Sequence, residues 1–236
     1  MSEPMQALSP DELLTTTRAV RKRLDLTRPV SRELIVDCVR IALQAPSASN
    51  RWPLQFVVVD DPAIRRQLGI IYRSAYDVYR SLDGIYIATI DKGSPERNEQ
   101  QLRTATSAEY LAEHIAEAPA LVLGVVVGRR DDAGAVNSLM ASAMPGMWSF
   151  MLAARARGVG TAWTSVHLIK EVEVNELLGF PDDVMSFCLT PVAYTKGTTF
   201  KPAMRPDPSE VMHWNGWSGG YEVSSPPSTG RRAPVM

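Results

Sequence analysis

The chain has few of the residues from which metal sites and disulfide frameworks are built. It contains two cysteines and three histidines among 236 residues, and none stands at the spacing of an H-E-x-x-H or C-x-x-C zinc motif. We therefore expect no bound metal. Cys38 and Cys188 lie far apart in apolar stretches of the sequence, which is typical of buried thiols in a reducing compartment.

Familiar nucleotide-binding and hydrolase motifs are missing as well. The sequence has no G-x-x-x-x-G-K-[ST] phosphate loop and no G-x-S-x-G elbow. Gly158-Val159-Gly160 does not extend to G-x-G-x-x-G, and it follows a helical pattern instead of a strand, which disfavours a Rossmann site. If the protein is an enzyme, we expect a bound cofactor to supply the reactive group and no side chain to be catalytic.

Charge and hydropathy disfavour two further classes of protein. The 25 basic and 26 acidic residues give a formal net charge of −1, whereas binding nucleic acid through bulk charge needs a basic surplus. The longest apolar run, Ala118 to Val127, has the length of a strand and is too short to cross a bilayer. Met1 to Asp11 carries acids and prolines where a secretory peptide has a basic start. We expect a cytoplasmic globular protein that binds neither nucleic acid nor membranes.

Helical and strand patterns interleave along the chain. Helices are predicted over residues 10–17, 32–45, 63–80, 107–116, 135–156 and 171–178, and strands over 55–59, 120–127, 161–164 and 186–194. Because about sixty residues separate the first two strands, we expect an α+β fold with helices packed around one sheet. The segment 81–106 is poorly periodic, which is typical of a mobile excursion or lid. Residues 1–217 are expected to form a single domain, followed by a Gly/Ser/Pro-rich tail over 218–236.

Three separated segments carry residues that suit a flat ligand with a phosphate. Arg18, Arg21 and Lys22 form a cationic cluster, and guanidinium groups bind phosphate oxygens with paired hydrogen bonds. Residues 46–50 form a turn of small and polar side chains. Residues 158–165 combine two glycines with hydroxyl side chains and backbone amides. Each segment also has an interpretation without a ligand. The cationic cluster could be a solvated basic turn, residues 46–50 an ordinary helix-to-strand loop, and residues 158–165 the end of a helix that leads into a strand.

The order and separation of these segments resemble the FMN-dependent nitroreductase family. The matching stretches are Arg18-Ala19-Val20-Arg21-Lys22, Ala45-Pro46-Ser47-Ala48-Ser49-Asn50-Arg51-Trp52-Pro53-Leu54, Gly158-Val159-Gly160-Thr161 and Arg205-Pro206-Asp207-Pro208-Ser209-Glu210-Val211. The resemblance implies a nitroreductase-like fold, in which helices surround a central, mostly antiparallel sheet, and an intertwined homodimer. It also implies that residues 1–217 are one FMN-binding domain.

The resemblance further implies which residues hold the cofactor. The implied set is Arg18, Ala19, Val20, Arg21, Lys22, Pro46, Ser47, Ala48, Asn50, Trp163, Thr164, Ser165, Val166 and Arg205. The basic residues fall where the family holds the phosphate and pyrimidine edge, and residues 46–50 fall where the second subunit reaches the flavin. Three residues depart from the family pattern: Ala19 replaces Ser, Trp52 replaces Gln and Leu54 replaces Trp.

As an activity, the resemblance implies a ping-pong reaction. NADH or NADPH would reduce the flavin, and a nitroaromatic or quinone would then take the electrons on the same face. Arg21 is expected to stabilise the negative charge of the reduced flavin. Tyr79, Tyr86 and Arg97 are the candidates for contacting the acceptor.

Several alternatives stay open at this level. Trp163 or Trp148 could form a wall of the site, although large aromatic side chains are more often core residues. The same fold and flavin could support dehalogenation, dehydrogenation or flavin destruction. The departures at Ala19, Trp52 and Leu54 also fit a flavin-binding storage or sensor protein. A small interaction domain without a cofactor would leave the four ordered motifs unexplained.

Overall fold

The computed structural model describes residues 6–129 and 132–217, which form helices around one sheet. In chain order the elements are α1 (Pro10–Thr16), α2 (Arg32–Ala42), β1 (Leu54–Val59), α3 (Pro62–Arg80), α4 (Pro95–His114), β2 (Ala120–Val127), α5 (Ala133–Ala156), β3 (Val159–Thr161), α6 (Glu171–Leu178), β4 (Val184–Tyr194) and α7 (Pro208–Val211). Short 3-10 helices cover Ala48–Asn50, Ile115–Glu117 and Val166–Lys170. Among the described residues, no helix is both long and apolar enough to span a membrane.

Side-chain caps determine where several of these helices begin. Ser9 and Glu12 form the capping box of α1, in which each side chain accepts a hydrogen bond from the other residue's backbone amide. The Ser31 hydroxyl accepts from the Leu34 amide at the start of α2, at 3.2 Å. The Asp61 carboxylate accepts from two amides at the start of α3. The predicted starts of α1 and α2 are thereby confirmed.

The four strands form one antiparallel sheet in the order β1-β2-β4-β3. Alternate residues of β2 point to opposite faces of the sheet. Val122 and Val126 pack on one face in a core with α2 and α5. Leu121 and Leu123 pack on the other face in a core with α3 and α4. The predicted α+β fold is confirmed, and the sheet lies between two layers of helices.

The expectation of a mobile excursion over 81–106 was wrong for its second half. Helix α4 begins at Pro95 and not near Ser107. Its first turns carry almost no apolar residues, so the pattern gave no helical signal, but the Ser94 hydroxyl accepts from the Arg97 amide at 3.3 Å and caps the helix. An ion pair between Arg80 of α3 and Glu109, at 3.0 Å, joins the two helices.

The predicted strand over 161–164 was displaced by two residues. Strand β3 spans Val159–Thr161 and pairs with the end of β4. Thr164 exchanges two backbone hydrogen bonds with Leu189 of β4, each 2.9 Å long, as an isolated bridge. The chain therefore leaves the sheet after Thr161 and touches it again at Thr164, which places a short turn beside β4.

Candidate functional site

Two of the three segments singled out in the sequence lie side by side. The Val20 amide donates a hydrogen bond of 2.8 Å to the Thr161 carbonyl, and Ala19 forms a parallel bridge with Thr161. Leu24 forms an antiparallel bridge with Thr195, just after β4. Residues 18–24 therefore continue the sheet beyond its edge strand β3. The structure brings the cationic segment and the 158–166 segment together.

The fold itself needs a glycine at position 158, just before β3, and at position 160 within it. Gly158 has φ of +74°, in the left-handed region that favours glycine. A Cβ on Gly160 would lie 2.7 Å from Thr195 Cγ2 and 3.0 Å from Val20 Cβ. The chain itself therefore makes the close approach at Gly160, because the side chains of Val20 and Thr195 fill the space that a Cβ would need.

Arg21 is a half-buried cation without an ion-pair partner in the described part of the chain. None of the described ion pairs involves Arg21. Burial lowers its pKa, an effect that the nearby Tyr72 and Tyr76 hydroxyls partly oppose. Loss of hydration is unfavourable for a guanidinium group unless an anion compensates it. Arg21 therefore marks a place where a bound anion would be stabilised.

Tyr72 fixes the turn that follows β3. The Tyr72 side chain is 2% exposed, and its hydroxyl lies 2.9 Å from Thr164 Oγ1. Thr164 Oγ1 also accepts from the Val166 amide at 3.3 Å. Burial raises the pKa of Tyr72, so the phenol is neutral at neutral pH. Tyr72 was not among the predicted site residues, because its place in the apolar pattern of α3 resembles that of an ordinary core residue.

Arg18 connects the cationic segment to the C-terminal segment. Its Nη1 donates to the Lys201 carbonyl at 2.9 Å. Arg205 is exposed and lies four residues after Lys201 in the chain. Ala19 and Lys22, in the same segment as Arg18, are exposed as well. The structure thus joins the first and last basic stretches through Lys201, and none of the described hydrogen bonds or ion pairs links Arg18 to Arg205.

The loop over residues 46–50 lies elsewhere, against α5. The Ala48 amide donates to Ser142 Oγ at 3.3 Å. Trp52 braces the loop, since its amide donates to Ser47 Oγ at 3.0 Å and its indole N–H donates to Asn50 Oδ1 at 2.8 Å. The described hydrogen bonds of this loop include none to residues 18–22 or 164–166. Within one chain, this loop leads into β1, at the edge of the sheet opposite to β3 and residues 18–24.

The candidate acceptor-binding residues fall into two places. The rings of Tyr79 and Tyr86 lie 5.3 Å apart and both meet Tyr76 edge to face. Arg97 instead lies 3.6 Å from Glu210 of α7 in an ion pair. The structure therefore groups the two tyrosines in a half-buried aromatic cluster and places Arg97 with the C-terminal segment.

The two tryptophans differ in environment. The Trp163 ring is half-buried and lies 5.7 Å from the Phe187 ring, which supports the core-packing interpretation for that residue. Trp148 on α5 is 38% exposed. Of the two, only Trp163 stands beside the 164–166 turn in the sequence.

Known structures share this architecture. An FMN and NADPH-dependent nitroreductase from Sphigopyxis sp. strain HMH matches with a TM-score of 0.67 at 21% identity, over 89% of this chain and 100% of that chain. Nitroreductase A from Vibrio parahaemolyticus RIMD 2210633 matches with a TM-score of 0.66 at 15% identity, over 91% and 78%. An iodotyrosine deiodinase bound to FMN and 3-iodo-L-tyrosine matches with a TM-score of 0.66 at 19% identity, over 88% and 98%. These likenesses establish the fold.

A family model extends the comparison from the fold to the sequence. The Nitroreductase family model matches residues 14–194, which include the cationic segment, the sheet and the turn beside Thr164. The match covers most of the 236 residues, and it agrees with the fold that the solved structures share. The chain belongs to the nitroreductase family.

Proposed function

We propose that the protein is an FMN-dependent oxidoreductase that uses NADPH or NADH to reduce flat, electron-poor acceptors such as nitroaromatics and quinones. Arg21 carries the proposal. Its half-buried guanidinium group has no ion-pair partner among the described residues and stands close to the Tyr72 hydroxyl that holds the 164–166 turn. A desolvated cation of this kind fits the anionic parts of FMN.

The residues present suit a flavin mononucleotide. Arg18 and Arg21 supply guanidinium groups, which match phosphate and carbonyl oxygens, and Arg205 supplies a third from the C-terminal segment. The remaining proposed contacts are Ala19, Val20, Lys22, Trp163, Thr164, Ser165 and Val166. When bound, FMN supplies the redox chemistry, in a ping-pong cycle in which nicotinamide and acceptor use the same site in turn.

The protein's own part in this reaction is placement and charge. Tyr72 holds Thr164 and thereby fixes the amides of the 164–166 turn. Arg21 balances negative charge in a site of reduced hydration, where electrostatic interactions are stronger than in water. No acid–base pair of side chains is required for this role.

We further propose that the site is completed by a second copy of the chain. Pro46, Ser47, Ala48 and Asn50 lie on a loop braced against α5. In the same chain this loop leads into β1, at the edge of the sheet opposite to the segment of Arg21. In a homodimer, this loop would reach the site of the partner. The positive φ angles of Ser49, Asn50 and Trp52, all near 52–53°, show that the loop is held in one demanding conformation.

The relatives support both the proposal and one alternative. The Sphigopyxis enzyme is described as FMN and NADPH-dependent, which favours a flavin and a nicotinamide reductant here. The deiodinase has the same fold and was solved with FMN and 3-iodo-L-tyrosine. Reductive dehalogenation is therefore the second candidate activity. The departures at Ala19, Trp52 and Leu54 keep a flavin-binding storage or sensor protein as the third candidate.

Steady-state assays separate these candidates. Protein loaded with FMN is mixed with NADH or NADPH and with a nitroaromatic, a quinone or a halotyrosine. We expect nicotinamide oxidation that depends on the nitro or quinone acceptor. Halide release without nitro or quinone reduction would favour the dehalogenase, and retained FMN without nicotinamide oxidation would favour storage or sensing.

Two substitutions test the phosphate contacts. Removing a charged hydrogen-bond partner costs about 1.5–3 kcal/mol, so Arg18→Ala and Arg205→Ala are each expected to weaken FMN binding roughly ten- to hundredfold. FMN affinity is measured by titration of the apoprotein. Affinities equal to that of the unsubstituted protein in both variants would show that these residues do not hold the phosphate.

A further inference from the structure

Three arginines hold the segment that follows β4. Arg18, Arg23 and Arg155 come from two distant parts of the chain and all donate to backbone carbonyls of residues 196–201. We call this set the arginine clamp. The segment it holds is the one that leads from the core of the sheet to Arg205.

The hydrogen bonds of the arginine clamp reach four of the six carbonyls of the segment. Arg23 donates from Nε to the Lys196 carbonyl at 3.0 Å and from Nη1 to the Thr199 carbonyl at 2.9 Å. Arg155 donates to the Thr198 carbonyl at 3.0 Å, and Arg18 donates to the Lys201 carbonyl at 2.9 Å. The Lys196 amide donates in return to the Arg23 carbonyl at 2.7 Å.

The Phe200 ring contacts two of these guanidinium groups. The Arg23 guanidinium carbon lies 4.0 Å from the centre of the Phe200 ring, and that of Arg155 lies 4.8 Å from it. Both distances are within the range of cation–π attraction. The ring therefore ties the segment to the clamp through its side chain as well as its backbone.

The charges of the clamp have no carboxylate to compensate them among the described ion pairs. Arg155 is only 4% exposed, and burial, together with the nearby Arg23, lowers its pKa. Apolar side chains would fill this space at a lower cost in desolvation. Since burying the Arg155 charge is unfavourable and its hydrogen bond to Thr198 is geometrically specific, we infer that this arginine serves to fix the position of the segment.

The structure points to a positioning role, which rests on the proposed function. We propose that Phe200 and the arginine clamp set where the C-terminal segment leaves the fold, so that Arg205 reaches the same FMN phosphate as Arg18. Four residues span at most about 14 Å when fully extended. With Lys201 fixed to the Arg18 side chain, Arg205 stays within that reach of Arg18's anchor point, and Phe200 acts on FMN through Arg205.

A double-mutant cycle on FMN affinity tests this positioning role. Phe200→Leu keeps an apolar side chain but removes the ring face, and we expect FMN to bind about five- to tenfold more weakly. Phe200→Tyr keeps the ring and should restore most of the affinity. In the Arg205→Ala background, Phe200→Leu should change affinity less than about twofold, because the residue it positions is gone. Phe180→Leu, a half-buried phenylalanine in the same core, is the matched control and should show no coupling to Arg205.

The possible results distinguish the positioning role of Phe200 from the proposed function. If Phe200→Leu weakens binding by the same factor with and without Arg205, the ring does not act through Arg205 and the inference is overturned, while the proposed function stands. If the unsubstituted apoprotein takes up no FMN, the proposed function fails and the inference with it. Should Phe200→Leu fail to fold, the same cycle is run with Arg23→Lys, which keeps the charge but loses the paired donation to Lys196 and Thr199.

Discussion

Replacing Arg21 by methionine should separate ligand binding from folding. The substitution keeps an unbranched side chain of similar reach and removes the guanidinium charge. Arg21 is half-buried, its pKa is lowered chiefly by burial, and no described carboxylate forms an ion pair with it. In the apoprotein, removing this charge therefore breaks no described ion pair and relieves the unfavourable free energy of burying a cation.

The size of the two effects follows from this geometry. A charged group that hydrogen-bonds a ligand contributes about 1.5–3 kcal/mol, so Arg21→Met should weaken FMN binding roughly ten- to hundredfold. The free energy of unfolding of the apoprotein should stay the same or rise slightly, because an apolar side chain replaces an uncompensated cation. FMN affinity should therefore fall while the stability of the apoprotein stays the same or rises.

Flavin fluorescence titration of the apoprotein measures the first quantity, and denaturant unfolding of the apoprotein measures the second. Arg66→Met, which removes an exposed arginine on the same helix as Tyr72, is the control and should alter neither. An Arg21→Met apoprotein that is clearly less stable, yet binds FMN as tightly as before, would refute the reasoning.

Three further predictions concern stability. Burial lowers the pKa of the fully buried His167 to about 4 from an ordinary 6.5. Because the unfolded chain is protonated at this histidine at a higher pH than the folded chain, the free energy of unfolding should fall by about 3 kcal/mol as the pH drops from 6.5 towards 4. His167→Gln should flatten this dependence in unfolding curves at pH 5 and pH 7. Gly160→Ala would put a Cβ 2.7 Å from the nearest side-chain atom and should cost about 1–3 kcal/mol, whereas Gly216→Ala, which enters open space, should cost far less in the same thermal melts. Tyr72→Phe removes the hydrogen bond to Thr164 and should cost about 0.5–1.5 kcal/mol; a melting temperature equal to that of the unsubstituted protein would argue against this contact.

Much of the fold could be predicted from local signals. Ser9 and Ser31 begin helices because their hydroxyls satisfy amides that a helix cannot satisfy itself. The valine-rich stretch that became β2 lies between two layers of helices, which explains its continuous apolar pattern. Helix caps and continuous apolar runs are patterns of residues close together in the sequence, so one sequence is enough to predict them.

Helix α4 shows where prediction from the apolar pattern fails. Its first half has no apolar stripe, so periodicity indicated a loop. A cap at Ser94, a proline at the first helical position and the Glu99–Arg103 ion pair support the helix instead. The Ser-Pro-Glu sequence at its start was the available signal.

The candidate site could be predicted in outline only. The structure brings Ala19 and Val20 against Thr161, so two of the segments implied by the family resemblance lie side by side, and their roles in holding a cofactor stay predictions. Tyr72 and Phe200 could not be found in this way, because their roles arise from contacts between residues far apart in the chain. The expected tail over 218–236 lies outside the described residues.

The central claim is that Arg21 and the neighbouring turn hold a flavin that exchanges electrons with a nicotinamide and an acceptor. An anaerobic absorption titration of the protein after incubation with FMN tests it most directly. The account predicts that the protein retains FMN, that NADPH or NADH bleaches its colour, and that a quinone or nitroaromatic restores it. A protein that emerges colourless after incubation with FMN would contradict the account.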